Sequence, residues 1–213
     1  DISGYIEAIA GNNRYIMDYL IEEVLNNQSD DVKEFLLCTS ILSHFSGPLC
    51  NAVLNKNDSQ AILESLESEN MFIIPLDTER KWYRYHHLFA DLLNQQLRSI
   101  NNSEIKELHL KASQWFEANN MILPAIDHAL KAEDHEKASH LLGGVVEELW
   151  EKGQHASIFD FSQLLPIEII KKNPDFCLYY SWILISTGRT REAAELLEAT
   201  EKLVTDKLET EKG

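Results

Sequence analysis

Residues 71–93 read Met71-Phe72-Ile73-Ile74-Pro75-Leu76-Asp77-Thr78-Glu79-Arg80-Lys81-Trp82-Tyr83-Arg84-Tyr85-His86-His87-Leu88-Phe89-Ala90-Asp91-Leu92-Leu93. The first six are a short apolar run rich in β-formers, and Asp77 to Arg80 carry turn chemistry. Lys81 to His86 then alternate aromatic and charged side chains, the pattern of a strand with one buried face. Together they predict a β-hairpin, with Pro75 restricting its own strand to a sheet edge because proline donates no ladder hydrogen bond. From His87 the apolar spacing becomes helical.

On the N-terminal side, three helices are expected. Val32, Phe35, Leu36, Thr39 and Ser40 line the first, with Ser29 or Asp30 as its cap. Gly47-Pro48 breaks the chain and opens a short helix through Val53-Leu54, Pro48 standing in its first turn. Asp58 or Ser59 caps the third, which turns Ile62, Leu63 and Leu66 inward. Three helices, a hairpin and a closing helix make a winged-helix module over residues 30–98. Upstream, Gly11-Asn12-Asn13 opens a helix carrying Ile16, Tyr19, Leu20, Val24 and Leu25, which Asn26 to Ser29 ends.

On the C-terminal side, everything from Glu104 reads as amphipathic helix, such as Leu141, Leu142, Val145, Val146, Leu149 and Trp150. Asn120, Gly153 and Gly188 are spaced by 33 and 35 residues. Five residues beyond each stand Ala125, Ile158 and Ala193. A period of about 34 with a turn residue and then a small residue predicts antiparallel helix pairs of the TPR type. The expected fold class is therefore mainly α, with one small hairpin.

The chain has 213 residues, 44% hydrophobic, enough for a real core. Lys+Arg is 19 against 35 Asp+Glu, a net charge of −16, the wrong sign for neutralising nucleic-acid phosphates. The third helix would present Glu64, Glu67 and Glu69 where a DNA reader needs cations, and Arg80, Lys81 and Arg84 are too few for a footprint. No direct nucleic-acid contact is expected. Cys38, Cys50 and Cys177 are odd in number and scattered, which argues against a disulfide scaffold or zinc ribbon and suits a cytoplasmic location. Asp1 to Tyr5 lack the features of a secretory signal. Phe35 to Asn55 carry no charge but include Ser43, His44, Ser46, Gly47, Pro48 and Asn51, so a membrane span is not expected. The chain starts and stops within helical stretches, which predicts a piece of something longer.

Catalytic motifs are absent: no Gly-x-x-x-x-Gly-Lys-Ser/Thr, no Gly-x-Ser-x-Gly and no His-Glu-x-x-His. His86-His87-Leu88-Phe89-Ala90-Asp91 matches the His-His-x-x-x-Asp of condensation-type acyltransferases, but Leu92 replaces the glycine that follows there. This segment is therefore not expected to be an enzyme. Nor is a metal expected: adjacent side chains on a helix diverge by about 100°, so His86 and His87 would not share an ion. His135 and His140 also share no face well. Two histidines where a strand meets a helix do suggest a phosphate contact, because a helix N-terminus offers free N–H groups and a neutral imidazole N–H can donate.

The sequence resembles the large LuxR-type ATP-dependent transcriptional activators, the MalT-like proteins of the STAND class. The resemblance rests on Gly11-x-x-Arg14-Tyr15-Ile16-x-Asp18-Tyr19-Leu20-x-Glu22-Glu23-Val24-Leu25, on Phe35 to Leu42, on Gly47-Pro48-Leu49-Cys50 and above all on Trp82 to Leu93. It implies that residues 1–29 end a preceding helical domain, 30–98 are the winged helix, and 99–213 are a helical arm and TPR-like repeats. It implies ADP or ATP with Mg in the intact protein, bound and slowly hydrolysed by a domain outside this chain. Related proteins set a winged-helix His on the β-phosphate of ADP in a Met-His-Asp pattern. Tyr85-His86-His87 holds that place, with His87 where the superfamily has Asp, so His86 is the implied sensor. The implied partners are the protein's own nucleotide-binding domain, a small-molecule or protein inducer, and further copies of itself on activation. The alternative expectation is a freestanding helical-repeat scaffold for a protein partner, with no nucleotide role.

Overall fold

The computed structural model describes residues 20–99 and 102–210. The opening of the first expected helix at Gly11 to Asn13, and the matching residues up to Tyr19, lie outside them. Among the described residues are eleven α-helices and a single two-stranded sheet, so the chain is mainly α. It forms two compact units, Asp1–Lys111 and Ala112–Gly213.

Among the described residues the first unit opens with a π-helical segment, Leu20–Leu25, in which Val24 and Leu25 are buried. α1 spans Asp30–Thr39 and is capped by Ser29, whose hydroxyl accepts from the Val32 N–H at 3.5 Å. Asp30 and Asp31 lie in its first turn, where the helix dipole favours anions. α2 spans Gly47–Leu54, with Pro48 in the first turn and Ser46 accepting from Leu49 N–H. Asn55 closes it in the left-handed region at φ 54°. α3, Ser59–Ser68, follows Asp58, whose side chain makes no cap bond. The Ser59 N–H instead donates to Asn51 Oδ1 at 3.1 Å, fastening α3 to α2.

β1 (Ile73–Pro75) and β2 (Tyr83–Tyr85) pair antiparallel, Ile73 opposite Tyr85 and Pro75 opposite Tyr83. Phe45 pairs with the other side of Tyr83 through two backbone bonds of 2.9 and 2.8 Å. β2 is thus the inner strand, and Pro75 sits on the outer one, as its missing N–H requires. α4, His87–Leu97, closes the module. Phe35, Phe45, Leu49, Leu63, Tyr83 and Phe89 are fully buried between these elements, each worth about 1.5–3 kcal/mol of hydrophobic burial. The uncharged stretch from Phe35 resolves into α1, a turn through Phe45, and α2. Among the described residues no helix is long and apolar enough to cross a membrane.

α5, Asn102–Ala118, runs across the boundary between the units. Beyond Lys111 the second unit continues through α6 (Ile122–Lys131), α7 (His135–Glu151), α8 (His155–Gln163), the single turn α9 (Ile167–Ile170), α10 (Pro174–Ser186) and α11 (Thr190–Thr210). Asn120, Gly153 and Gly188, the residues that mark the sequence period, all adopt positive φ, at 58°, 70° and 81°. Each reverses the chain after a helix, where only Gly or Asn is comfortable. The residues five positions later, Ala125, Ile158 and Ala193, are buried where consecutive helices pack.

Candidate functional site

Strand alternation assembles the site. Tyr83 and Tyr85 point inward, so Trp82, Arg84 and His86 fall on the opposite face and remain partly exposed. Inward, the Tyr85 ring packs 4.6 Å from Phe45 and 5.8 Å from Phe89, and its hydroxyl lies 2.7 Å from that of Thr39.

His86 caps α4 with extended backbone, φ −61° and ψ 138°. Its N–H donates to the Phe72 carbonyl at 2.7 Å, and its own carbonyl accepts from Ala90 at 2.9 Å. The backbone is therefore fixed from both sides, while the side chain makes no cap bond. The imidazole Nδ1 is buried without a hydrogen-bond partner. Carrying the proton on Nε2 avoids burying an unpaired N–H and leaves the ring a donor at its other nitrogen. His86 is also the residue that opens α4, and a helix N-terminus offers free N–H groups suited to a phosphate oxygen.

Phe72 supports this histidine in a way the sequence does not announce. It holds φ 55°, the left-handed region, where a bulky side chain costs about 1–3 kcal/mol. Its ring lies 6.5 Å from His86, edge-on, and 5.6 Å from Phe89. No glycine or asparagine marks this position, so no residue-type signal could have found it.

The expectation that His86 and His87 diverge by 100° needs correction. His86 is extended rather than helical, and the two rings come within 4.4 Å. Even so, no three His, Cys, Asp or Glu side chains are grouped to hold a metal among the described residues. His135, at the start of α7, has a buried Nδ1 without a partner, and His140 is exposed.

The basic side chains of the hairpin are engaged by the chain itself. Arg80 Nε pairs with Glu67 at 3.3 Å, Lys81 pairs with Glu79, and Arg84 donates to the Tyr85 carbonyl at 3.4 Å. Asp77 accepts from the N–H groups of Lys81 and Trp82 at 3.0 and 2.8 Å, which hold its carboxyl below the usual carboxylate range and shape the turn.

Residues 21–105 match the sequence model of the MalT winged helix domain. The HTH-type transcriptional regulator MalT of Vibrio cholerae is 31% identical over 198 residues, 90% of this chain and 21% of that protein. MalT of Vibrio parahaemolyticus is 27% identical over 191 residues, again 90% and 21%. The serine/threonine-protein kinase PknK of Mycobacterium tuberculosis is 28% identical over 201 residues, 94% of this chain and 18% of that protein. The chain spans about a fifth of the length of the curated relatives it matches.

Proposed function

We propose that this chain, whose residues 21–105 are a winged helix domain of the MalT family, is the central regulatory segment of an ATP-dependent transcriptional regulator. The winged helix closes on ADP held by a nucleotide-binding domain outside this chain, and the TPR-like helix pairs couple inducer sensing to self-association in the cytoplasm. Catalysis belongs elsewhere in such a protein. The match to the MalT winged helix domain, and to MalT regulators over 90% of this chain, supports reading the stretch as a regulatory segment.

The observation that carries the reading is His86 itself at the junction of β2 and α4, its backbone fixed from both sides and its side chain making no cap hydrogen bond, which leaves Nε2 as the donor. A bound nucleotide would supply negatively charged phosphate oxygens as acceptors. His86 would donate to one of them, and the N–H groups at the start of α4 would add their dipoles. One hydrogen bond to a charged group contributes about 1.5–3 kcal/mol. Shifting a population from 1:99 to 99:1 takes about 5.5 kcal/mol. His86 therefore reports nucleotide state, while the contact between domains supplies the rest of the lock.

In the intact protein, His86→Ala is expected to raise inducer-free transcription of a reporter and to weaken ADP binding by about ten- to a hundredfold, the loss of one charged hydrogen bond. Unchanged basal transcription together with unchanged ADP affinity would falsify the assignment.

A further inference from the structure

A second site lies in the other unit, where α7 meets α10. Trp150, Tyr179 and Trp182 form a continuous aromatic wall: the Trp150 ring is 5.2 Å from Trp182 and 5.6 Å from Tyr179. His155 stacks on Trp150 at 4.3 Å and contacts its carbonyl at 3.3 Å, which fixes the indole in place. The wall borders an open cleft of about 340 Å³ whose other polar lining is Glu147, Glu151 and Asp175. Leu178 completes it. Trp182 is 58% exposed, unusual for a side chain that is mostly buried on average, and Leu178 beside it is 53% exposed.

The charge at this cleft is one-sided. The lining includes Glu147, Glu151 and Asp175 and no lysine or arginine, and Lys152, next to Glu151 in sequence, pairs with Glu148. Glu147 and Glu151 stand four apart on α7, a like-charge spacing that destabilises a helix unless something positive lies between. The Tyr179 phenol is pushed up, first by desolvation against its neighbours and then by Glu147, Glu151 and Asp175, so all three carboxylates act on the wall. Yet they are not grouped closely enough to hold a metal ion. Carboxylates spread around an aromatic face suit a cation that is large, diffuse and partly apolar.

We propose that this cleft binds an organic ammonium group, its alkyl surface against Trp150 and Trp182 and its charge facing Glu147, Glu151 and Asp175. An anion is excluded by the rim. A neutral apolar ligand would gain nothing from the three carboxylates.

The test is a titration of the 213-residue chain with choline, followed by NMR at the indole N–H groups. The Trp150 and Trp182 signals are expected to shift, and those of Trp82 and Trp115 to stay. The uncharged tert-butyl analogue of choline has the same shape and is expected to bind at least about tenfold more weakly. Trp182→Leu, at an exposed position that keeps helix content, should weaken choline by about tenfold, and Glu151→Gln by several-fold. Nα-acetyl-lysine methylamide, which carries the same single charge as choline, separates the sources of the group: tighter binding than choline assigns the site to a lysine side chain of a partner, weaker binding to a free small cation. Equal affinity for choline and its neutral analogue overturns the proposal. So does the absence of any Trp150 or Trp182 shift at tens of millimolar choline.

Discussion

Tyr85 and Thr39 form the polar knot of the first unit's core. Thr39 donates its hydroxyl hydrogen to the Phe35 carbonyl at 2.6 Å, so the 2.7 Å contact with Tyr85 is donated by the phenol. The two partners are therefore not equivalent. Thr39→Val strands a buried phenol O–H and is expected to cost about 1–3 kcal/mol. Tyr85→Phe leaves Thr39 donating as before and should cost about 0.5–1.5 kcal/mol. Urea unfolding of both variants checks the order. Burial also pushes the Tyr85 phenol far above its ordinary range, the Thr39 bond opposing it only in part. The unfolded phenol ionises near pH 10. Above that value the unfolded chain binds fewer protons than the native one, so this contribution to stability is complete below about pH 10 and falls by about 1.4 kcal/mol per pH unit beyond it. The alkaline slope should be shallower by that amount in Tyr85→Phe, and identical slopes would refute the linkage. Alternation along Lys81 to His86 made a strand with one buried face readable in advance. The partner of Tyr85 was not, because 46 residues separate it from Thr39. The left-handed Phe72 was not either, because tertiary packing imposes it on a residue type that does not prefer it.

At the scale of elements, the clearest sequence signals were those that satisfy helix ends and turns. Ser29 and Pro48 stand where caps are needed, and the period of Asn120, Gly153 and Gly188 is one of left-handed turns. Strand length was harder to read. The apolar run from Met71 to Leu76 suggests a longer strand than Ile73–Pro75, but Phe72 turns out of β geometry, and Leu76, whose N–H still donates to the Trp82 carbonyl at 2.8 Å, is 43% exposed where the chain enters the turn. Gly143 and Gly144 show how much depends on a neighbouring element. They are adjacent on α7 and indistinguishable in sequence. A Cβ at Gly144 would meet nothing within 4 Å, whereas one at Gly143 would lie 1.9 Å from Asn173 Nδ2. Asn173 caps α10, accepting from Phe176 N–H at 3.1 Å. Gly144→Ala should therefore stabilise the protein by about 0.5–1 kcal/mol through helix propensity alone. Gly143→Ala should destabilise it by about 1–2 kcal/mol, because the methyl displaces the cap. Adding Asn173→Ala should remove the obstacle and turn Gly143→Ala stabilising, which a double-mutant cycle by thermal unfolding measures directly. Destabilisation of equal size by Gly143→Ala in both backgrounds would count against this account.

For the whole molecule, the aromatic block from Trp82 to Leu93 carried the likeness to MalT in sequence, and the cleft between α7 and α10 carried none. Trp150 and Trp182 come from separate helices, and only packing puts them together, so no local spacing can encode the pair. Net charge works at this scale too. A chain with 19 basic and 35 acidic residues repels a nucleotide diphosphate before any contact forms. Binding ADP even at 1 mM takes about 4.1 kcal/mol. The single donor offered by His86 supplies about 1.5–3 kcal/mol of it, less the repulsion. The 213-residue chain alone is therefore expected to show no ADP binding below millimolar concentration by isothermal calorimetry, with or without Mg. Joined to the nucleotide-binding domain proposed here, it should hold ADP tightly, and the His86→Ala version of that longer protein should hold it less tightly. Micromolar ADP binding by the chain alone would mean that it carries a nucleotide site of its own, and the division of labour between a binding domain and a winged-helix sensor would have to be abandoned.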